Sequence, residues 1–314
     1  MNQNAFCLEP VPPFRLDLTV WTLRRRPDNA VDRWDGRTYR RVLALAGILA
    51  EVAVTQIKPP EEPQLQVAVN GAPLTVTVRE AVTSALERLL GLHIDLVEFH
   101  RFAARQPQLG LLVRRFRGMK PPRFPSVFEA VLNAMACQQV TLTLGIQLLN
   151  RLAASHGAAF REGERTAHAF PQPDDLAGLD PQAIRQLGFS RQKARAMIEL
   201  ADAITAGRLD LEALAGRPDA DALAQLRQLH GIGRWTAEYV LLRGLGRPHI
   251  FPGDDVGARN NLQRWLRLAD SLDYEGVAQT LARWRDYGGL IYFHLLLDRL
   301  AEVGHLEGGL RCSI

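Results

Sequence analysis

Between two helical stretches the chain reads LHGIGRW, from Leu229 to Trp235, and the glycines at Gly231 and Gly233 restrict how it can fold there. Glycine reaches backbone angles closed to other residues and carries no side chain, so one helix can end and another begin within a few residues. The helix before the pair runs from Asp221 to Gln228, with Leu223, Leu226 and Leu229 directed inward, and the helix after it begins near Arg234. Ile232, between the glycines, is the apolar pin expected to hold the two helices together. This is a helix–hairpin–helix, placed at about residues 221–246. A phosphate can approach its bare loop amides and the N-terminus of its second helix. Such contacts hold a nucleic-acid backbone without reading its sequence. Many αα-hairpins also carry a GxG, so on its own the pair equally describes a structural turn.

The rest of the chain divides in two. Residues 1 to about 80 read as strands and turns. FRLDLTV (Phe14 to Val20) alternates, and LQVAV, Asn70-Gly71 and LTVTV (Leu65 to Val78) spell a hairpin, because Asn-Gly supplies the positive φ angles of a tight turn. Helical periodicity takes over from Arg79. RRFRGMKPPRFP (Arg114 to Pro125), basic and proline-rich, reads as an interdomain linker, solvated or else in contact with phosphates. Beyond it the pattern is helical throughout. Ser126 and Glu129 spell a capping box that opens VFEAVLNAMAC. Further helices are expected from Thr141 to His156, after Asp180-Pro181, from Ser190 to Gly207, and at Gly257 to Leu268, Glu275 to Trp284 and Gly289 to Val303. The expected fold is α+β, with an antiparallel β-rich N-terminal domain over residues 1–118 and an all-α domain over 119–314.

Composition narrows the chemistry. The cysteines Cys7, Cys137 and Cys312 lie far apart without a CxxC pair, which excludes a four-cysteine iron–sulfur cluster and an all-cysteine zinc site. No apolar run approaches the roughly 20 residues a bilayer requires. The best, VLALAGILAEVAV (Val42 to Val54), is broken by Glu51. The N-terminus lacks a basic start and apolar stretch, so the cytoplasm is the expected location. A net charge of +4 is compatible with a nucleic-acid partner without demanding one. The lysines are Lys58, Lys120 and Lys193, so nothing after Lys193 can form a lysine Schiff base.

The hairpin has a sequel. Trp235 and Tyr239 are four residues apart and share one helix face, and Asp255 follows in HIFPGDDVGARNNL. LHGIGRWTAEYVLLRGLG followed by FPGDDVG resembles the helix–hairpin–helix DNA glycosylases, and in particular the bacterial 3-methyladenine-DNA glycosylase II group. PSVFEAVLNAMACQQVTL (Pro125 to Leu142) resembles that group's stretch ahead of its DNA-wedging turn. The resemblance covers roughly Pro125 to Val303, and the N-terminal region matches the group's accessory domain more loosely.

The resemblance implies a glycosylase that flips alkylated purines, 3-methyladenine and 7-methylguanine, out of duplex DNA. It then hydrolyses the N-glycosidic bond and leaves an abasic site in base excision repair. It implies Asp255 as the catalytic carboxylate that stabilises positive charge on the sugar, and Trp235 and Tyr239 as π faces of the base pocket. It further implies Gly231, Gly233, Arg234 and Thr236 as DNA-binding residues, with Gln139 as the wedge filling the gap left by the flipped nucleotide. The carbonyls of Arg227, Leu229 and Gly231 are implied to hold a monovalent cation, Na+ or K+; no cofactor is required and no iron–sulfur cluster is expected. Members that also cut the strand carry a lysine where Trp235 stands, so a monofunctional enzyme is implied. The expected partner is double-stranded DNA with alkylated bases, and the expected state is a monomer.

Other readings of the same residues stay open. Asp254 and Asp255 also fit a helix cap. The aromatics also fit core packing, and Gln139 an ordinary turn. The whole also fits a damage-binding protein without turnover, or a glycosylase for oxidised or mismatched bases, although the missing cluster cysteines and lysine weigh against the latter. Val256 and Leu296 stand where the best-known bacterial member has aromatics, and DYGGLIYF lacks the group's usual Arg-Ser pair. Glu238 falls on a different helix face from Tyr239, about 100° away. No proton donor is therefore apparent beside Asp255, and cationic alkylpurines are expected to leave far faster than neutral hypoxanthine.

Overall fold

The computed structural model describes residues 4–45 and 47–306; Cys312 lies outside them. Strands β1 (Ala5–Leu8), β2 (Arg33–Trp34), β3 (Thr38–Leu45), β4 (Ile48–Gln56) and β5 (Leu65–Asn70) form one antiparallel sheet in the order β1-β5-β4-β3-β2. The broken apolar run Val42 to Val54 is the β3–β4 pair, with Val42 opposite Glu51.

Two N-terminal expectations are overturned. The alternating FRLDLTV belongs to a helix, α1 (Leu16–Arg24), and not to a strand. Leu16, Val20 and Leu23 enter one core cluster while Leu18 and Trp21 enter another, so the helix is covered on both sides. A helix buried all round loses the one-sided 3.6-residue stripe by which helices are recognised. Asn70-Gly71 does not close a hairpin either. β5 pairs instead with β1 and β4, and LTVTV runs into the helix α2 (Val76–Leu90), where Thr75 accepts a cap hydrogen bond from the Val78 amide. Val78, Val82, Leu86 and Leu89 then face the core at helical spacing.

After α3 (Val97–Ala104) and α4 (Pro107–Arg115) comes the proline-rich segment read as a solvated linker. It is buried instead, since Phe116, Met119, Lys120 and Phe124 are all covered. Lys120 donates from Nζ to Ile94 O at 2.6 Å, and burial pulls its pKa down to about 8. The remaining helices are α5 (Val127–Cys137), α6 (Leu142–His156), α7 (Pro173–Leu176), α8 (Pro181–Gln186), α9 (Arg191–Thr205), α10 (Asp219–Arg227), α11 (Arg234–Arg243), α12 (Val256–Leu266), α13 (Tyr274–Leu281) and α14 (Gly288–Glu302). The helical run is interrupted by an unexpected hairpin of β6 (Ala159–Glu162) and β7 (Arg165–His168). Among the described residues no helix is long and apolar enough to cross a membrane.

One core cluster joins Val52 and Val67 of the sheet to Val131 of α5, Met197 of α9 and Tyr239 of α11. The second joins Leu18 of α1 and Phe99 of α3 to Leu262 of α12 and Phe293 of α14. A buried polar node ties sheet to helix as well. Arg41 donates to Asp32 at 2.7 Å and, through Nη2, to both carboxylate oxygens of Glu129 at 2.6 Å. The expected capping box is therefore half made. Ser126 Oγ accepts the Glu129 amide at 3.1 Å, while the Glu129 carboxylate goes to Arg41 instead of returning to the Ser126 amide.

Candidate active site

In the turn from α10 to α11 only Gly231 takes a backbone angle closed to other residues, and Gly233 does not. Gly231 takes φ +78°, and a Cβ there would lie 2.9 Å from the Ala196 Cβ. Gly233 is the N-cap of α11 at φ −90°, and a Cβ there would meet nothing within 4 Å. No side chain caps the start of α11, so its first amides stay available to an outside acceptor. Ile232 is buried in the main core, as a pin should be.

Beside the hairpin opens a cleft of about 1480 Å³. Gln139, Gly231, Gly233, Arg234, Trp235, Thr236, Tyr239 and Asp255 all line it. Arg227 and Leu229 do not, but belong to the end of α10 and the turn after it. Val256, 59% exposed, and Leu296 also face the cleft.

Asp255 is the N-cap of α12, and its Oδ1 accepts the Ala258 amide at 2.9 Å. Its Oδ2 accepts from the Tyr292 hydroxyl at 3.3 Å. Both oxygens thus receive donors. Asp254 takes no cap. It pairs with Arg234 Nε at 2.7 Å, and the Arg234 guanidinium lies 3.6 Å from the centre of the Tyr274 ring.

Glu238 indeed points elsewhere than the cleft. It is 5% exposed and accepts the Tyr274 hydroxyl at 2.6 Å and the Gly253 amide at 3.1 Å. Burial raises its pKa, and these two hydrogen bonds oppose the rise. Through Glu238 and Arg234, α11 therefore grips the Pro252–Asp255 segment at two points.

Tyr239 lines the cleft and is 1% exposed. Trp235 packs on it at 5.6 Å between ring centres, tilted by 42°, and is itself only partly buried. The Tyr239 oxygen accepts a 3.0 Å hydrogen bond from Arg25 Nη1, and Arg25 Nη2 donates to Asn133 Oδ1 at 2.8 Å. Arg25 is the left-handed C-cap of α1 and comes from far outside the recognised motifs. Neither it nor Tyr292 was foreseen from the sequence. The run LRRRPDN marked Arg25 only as one of three consecutive arginines, and Tyr292 lay in the departing segment DYGGLIYF.

The turn between α5 and α6 is held from two sides. Gln138 Nε2 donates to Gly231 O and to Thr236 Oγ1, each at 2.8 Å, and Gln138 O accepts from Lys193 Nζ at 2.7 Å. Thr236 is thereby covered and engaged within the protein. Next to this anchor, Gln139 is exposed and adopts φ 55°, a conformation uncommon outside glycine. Residues held in such strained backbone cluster at functional sites.

The family model of the HhH-GPD superfamily of base excision DNA repair proteins matches residues 132–286. A DNA-3-methyladenine glycosylase of Bacillus subtilis is 24% identical over 282 residues, which cover 90% of this chain and 93% of that protein. DNA-3-methyladenine glycosylase 2 of Escherichia coli is 34% identical over 179 residues, covering 57% of this chain and 61% of that one. Among solved structures, a 3-methyladenine DNA glycosylase from Archaeoglobus fulgidus superposes with a TM-score of 0.80 at 26% identity, over 96% of this chain and 99% of that one.

Proposed function

For a chain that belongs to the HhH-GPD superfamily of base excision DNA repair proteins, we propose the activity of a DNA-3-methyladenine glycosylase. It flips 3-methyladenine and 7-methylguanine out of duplex DNA, hydrolyses the N-glycosidic bond and leaves an abasic site. The observation that carries this reading is Asp255, a carboxylate with both oxygens held, facing the cleft beside an uncapped hairpin. Binding of a nucleic-acid backbone alone has no use for an anion there.

In the proposed reaction the hairpin amides at Gly231 and Gly233 hold a phosphate, and Gln139 fills the gap in the stack. The base enters over Trp235, where stacking contributes about 1–3 kcal/mol. As the bond to C1′ breaks, positive charge grows on the sugar, and Asp255 stabilises it and orients water. The carbonyls of Arg227, Leu229 and Gly231 would hold a Na+ or K+ beneath the loop. Leu229 O and Gly231 O each accept one hydrogen bond, from Ile232 N and Gln138 Nε2, and each keeps a second lone pair for the ion. The ion would supply positive charge behind the phosphate-binding amides.

The monofunctional reading rests on Trp235 standing at the lysine position and on Lys193 being tied to Gln138 O. Incubation with methylated duplex DNA tests both parts. Free 3-methyladenine and 7-methylguanine should appear, and strands should break only after alkali. Breaks without alkali would refute the absence of lyase activity, and intact methylated bases would refute the enzyme.

A further inference from the structure

Asp255 must stay ionised to stabilise the sugar, so a neutral base needs its proton from another group. The geometry of Tyr239 points to that group. A guanidinium can only donate, so the 3.0 Å contact from Arg25 Nη1 occupies the phenol oxygen as an acceptor. The single tyrosyl proton is then directed elsewhere, and among the described residues no acceptor takes it. Tyr239 lines the cleft together with Arg25, the partner of its hydroxyl, so the remaining O–H is available to a base bound there.

The surrounding charge suits that role. Arg25 and Arg243 are both buried, and the Arg243 guanidinium lies 5.6 Å from the centre of the Tyr239 ring. Arg243 donates to Thr22 O at 2.9 Å and to Leu23 O at 3.4 Å, and among the described residues no carboxylate accepts from it. Among the described residues, Arg25 donates to Tyr239, Asn133 and the Cys137 sulfur. Both guanidiniums act on the phenol, while Asp32 acts on Arg243 and Asp255 acts on the phenol in the opposite sense. The guanidiniums stabilise a tyrosinate when one forms. Burial raises the Tyr239 hydroxyl pKa, and Arg25 and Arg243 oppose the rise.

We propose that Tyr239 is the general acid for neutral purine lesions and that Arg25 is its positioning residue. The inference rests on the glycosylase reading of the cleft and extends it to bases that carry no charge of their own. As the C1′–N9 bond breaks, its electron pair passes to the purine, and the Tyr239 proton moves to a ring nitrogen of the departing base. The tyrosinate is held by Arg25 and Arg243 and regains a proton from solvent. Water oxygen bonds to C1′ and loses its proton to solvent by way of Asp255. A cationic alkylpurine leaves as a neutral molecule and bypasses the Tyr239 step. Hypoxanthine release thus gains a proton donor, where the sequence reading found none beside Asp255 and saw Tyr239 only as an aromatic face.

The test is single-turnover release from matched duplexes, one carrying hypoxanthine and one 7-methylguanine. The wild-type protein should release both, with hypoxanthine slowed in D2O and 7-methylguanine unaffected. General acids typically contribute 10²–10⁴-fold. Tyr239→Phe, which keeps the ring, should therefore slow hypoxanthine release by about a hundredfold or more, and by at least about tenfold more than it slows 7-methylguanine. Arg25→Gln, which keeps an amide donor for the phenol but removes the charge, should slow hypoxanthine selectively and by less. Equal slowing of both lesions, or of neither, overturns the role of Tyr239. Should Tyr239→Phe not fold, Arg25→Gln and the D2O comparison decide, and loss of either selectivity overturns the proposal. Wild-type release of 7-methylguanine without hypoxanthine overturns this inference alone, whereas release of neither overturns the glycosylase reading with it.

Discussion

The two hairpin glycines separate a structural requirement from a binding one. At Gly231 the backbone sits at φ +78°, and an added Cβ would lie 2.9 Å from the Ala196 Cβ. The left-handed conformation costs a non-glycine residue about 1–2 kcal/mol, and the close contact adds to it. Gly231→Ala should thus lose roughly 2 kcal/mol and several degrees of Tm, at about 2–4 °C per kcal/mol for a chain of this order of size. Gly233 differs. Its φ of −90° is open to any residue, and nothing lies within 4 Å of an added methyl. Alanine there is a poorer N-cap than glycine, but it also reduces unfolded-state entropy, so the net change should stay within about 0.5 kcal/mol. The same methyl would stand where a phosphate meets the uncapped amides of α11. A hydrogen bond to a charged group is worth about 1.5–3 kcal/mol, so Gly233→Ala should weaken DNA binding about ten- to a hundredfold. Fluorescence anisotropy on an undamaged duplex and one with an abasic-site analogue, at one fixed salt concentration, measures the binding, and thermal unfolding measures the stability. Both duplexes should weaken alike. Unchanged affinity in Gly233→Ala would reduce the hairpin to a turn, and a Tm loss as large as that of Gly231→Ala would refute the geometric argument.

Three further outcomes follow from the site. Asp255→Asn keeps a good N-cap for the Ala258 amide, so it should fold and bind the abasic-site analogue nearly as well as wild type. Its rate of base release should fall about a hundredfold or more, with Asp254→Asn as the mild control, and single-turnover assays of both decide whether the charge matters. Glu238→Ala leaves the Tyr274 hydroxyl and the Gly253 amide without their partner, so it should lose about 2–3 kcal/mol in denaturant unfolding and slow base release with little change in DNA affinity; Glu238→Gln, which retains an acceptor, should recover most of the rate if the clamp positions Asp255. Burial holds His294 down to about 4 from an ordinary 6.5, so the unfolded chain binds the extra proton first. Stability from this group is complete above pH 6.5 and is lost as pH falls toward 4; His294→Leu should flatten that part of the stability curve, which unfolding midpoints at stepped pH will show.

How much of this was legible depended on whether a signal was contiguous. The hairpin was readable because glycine, isoleucine and glycine act on their immediate neighbours, and Ile232 is buried where a pin was expected. Helix α9, capped by Ser190 and presenting Ala194, Ile198 and Ala201 to the core, kept a one-sided stripe and was readable for that reason. Helix α1 was not, because it is covered on both sides. The linker reading of Arg114 to Pro125 failed for a related cause. Charge and proline suggest solvent, but the Lys120 ammonium finds a backbone carbonyl and the intervening Phe116 and Phe124 are drawn into the core. Glu129 illustrates competition for one side chain. Local sequence offers it the Ser126 amide, while Arg41, 88 residues away, offers the charged Nη2 to both of its oxygens and wins.

The cleft itself draws on three distant parts of the chain, and the N-terminal part has a chemical share in it. The α1 helix packs into both core clusters, and its left-handed end at Arg25 delivers a guanidinium to the phenol of Tyr239. Tyr292, from α14, delivers a hydroxyl to the carboxylate of Asp255. The contiguous motif from His230 to Asp255 supplies the phenol and the carboxylate, but their hydrogen-bond partners come from opposite ends of the chain. The β-rich N-terminal part is therefore more than a neighbour of the helical one. The sheet fixes α5 through the Arg41–Glu129 pair, α5 contributes Asn133, and Asn133 holds Arg25 against Tyr239. Loosening that chain of contacts at Arg41 would leave Glu129 as a buried, uncompensated carboxylate. The disturbance would reach the lining of the pocket without touching any residue of the recognised motif.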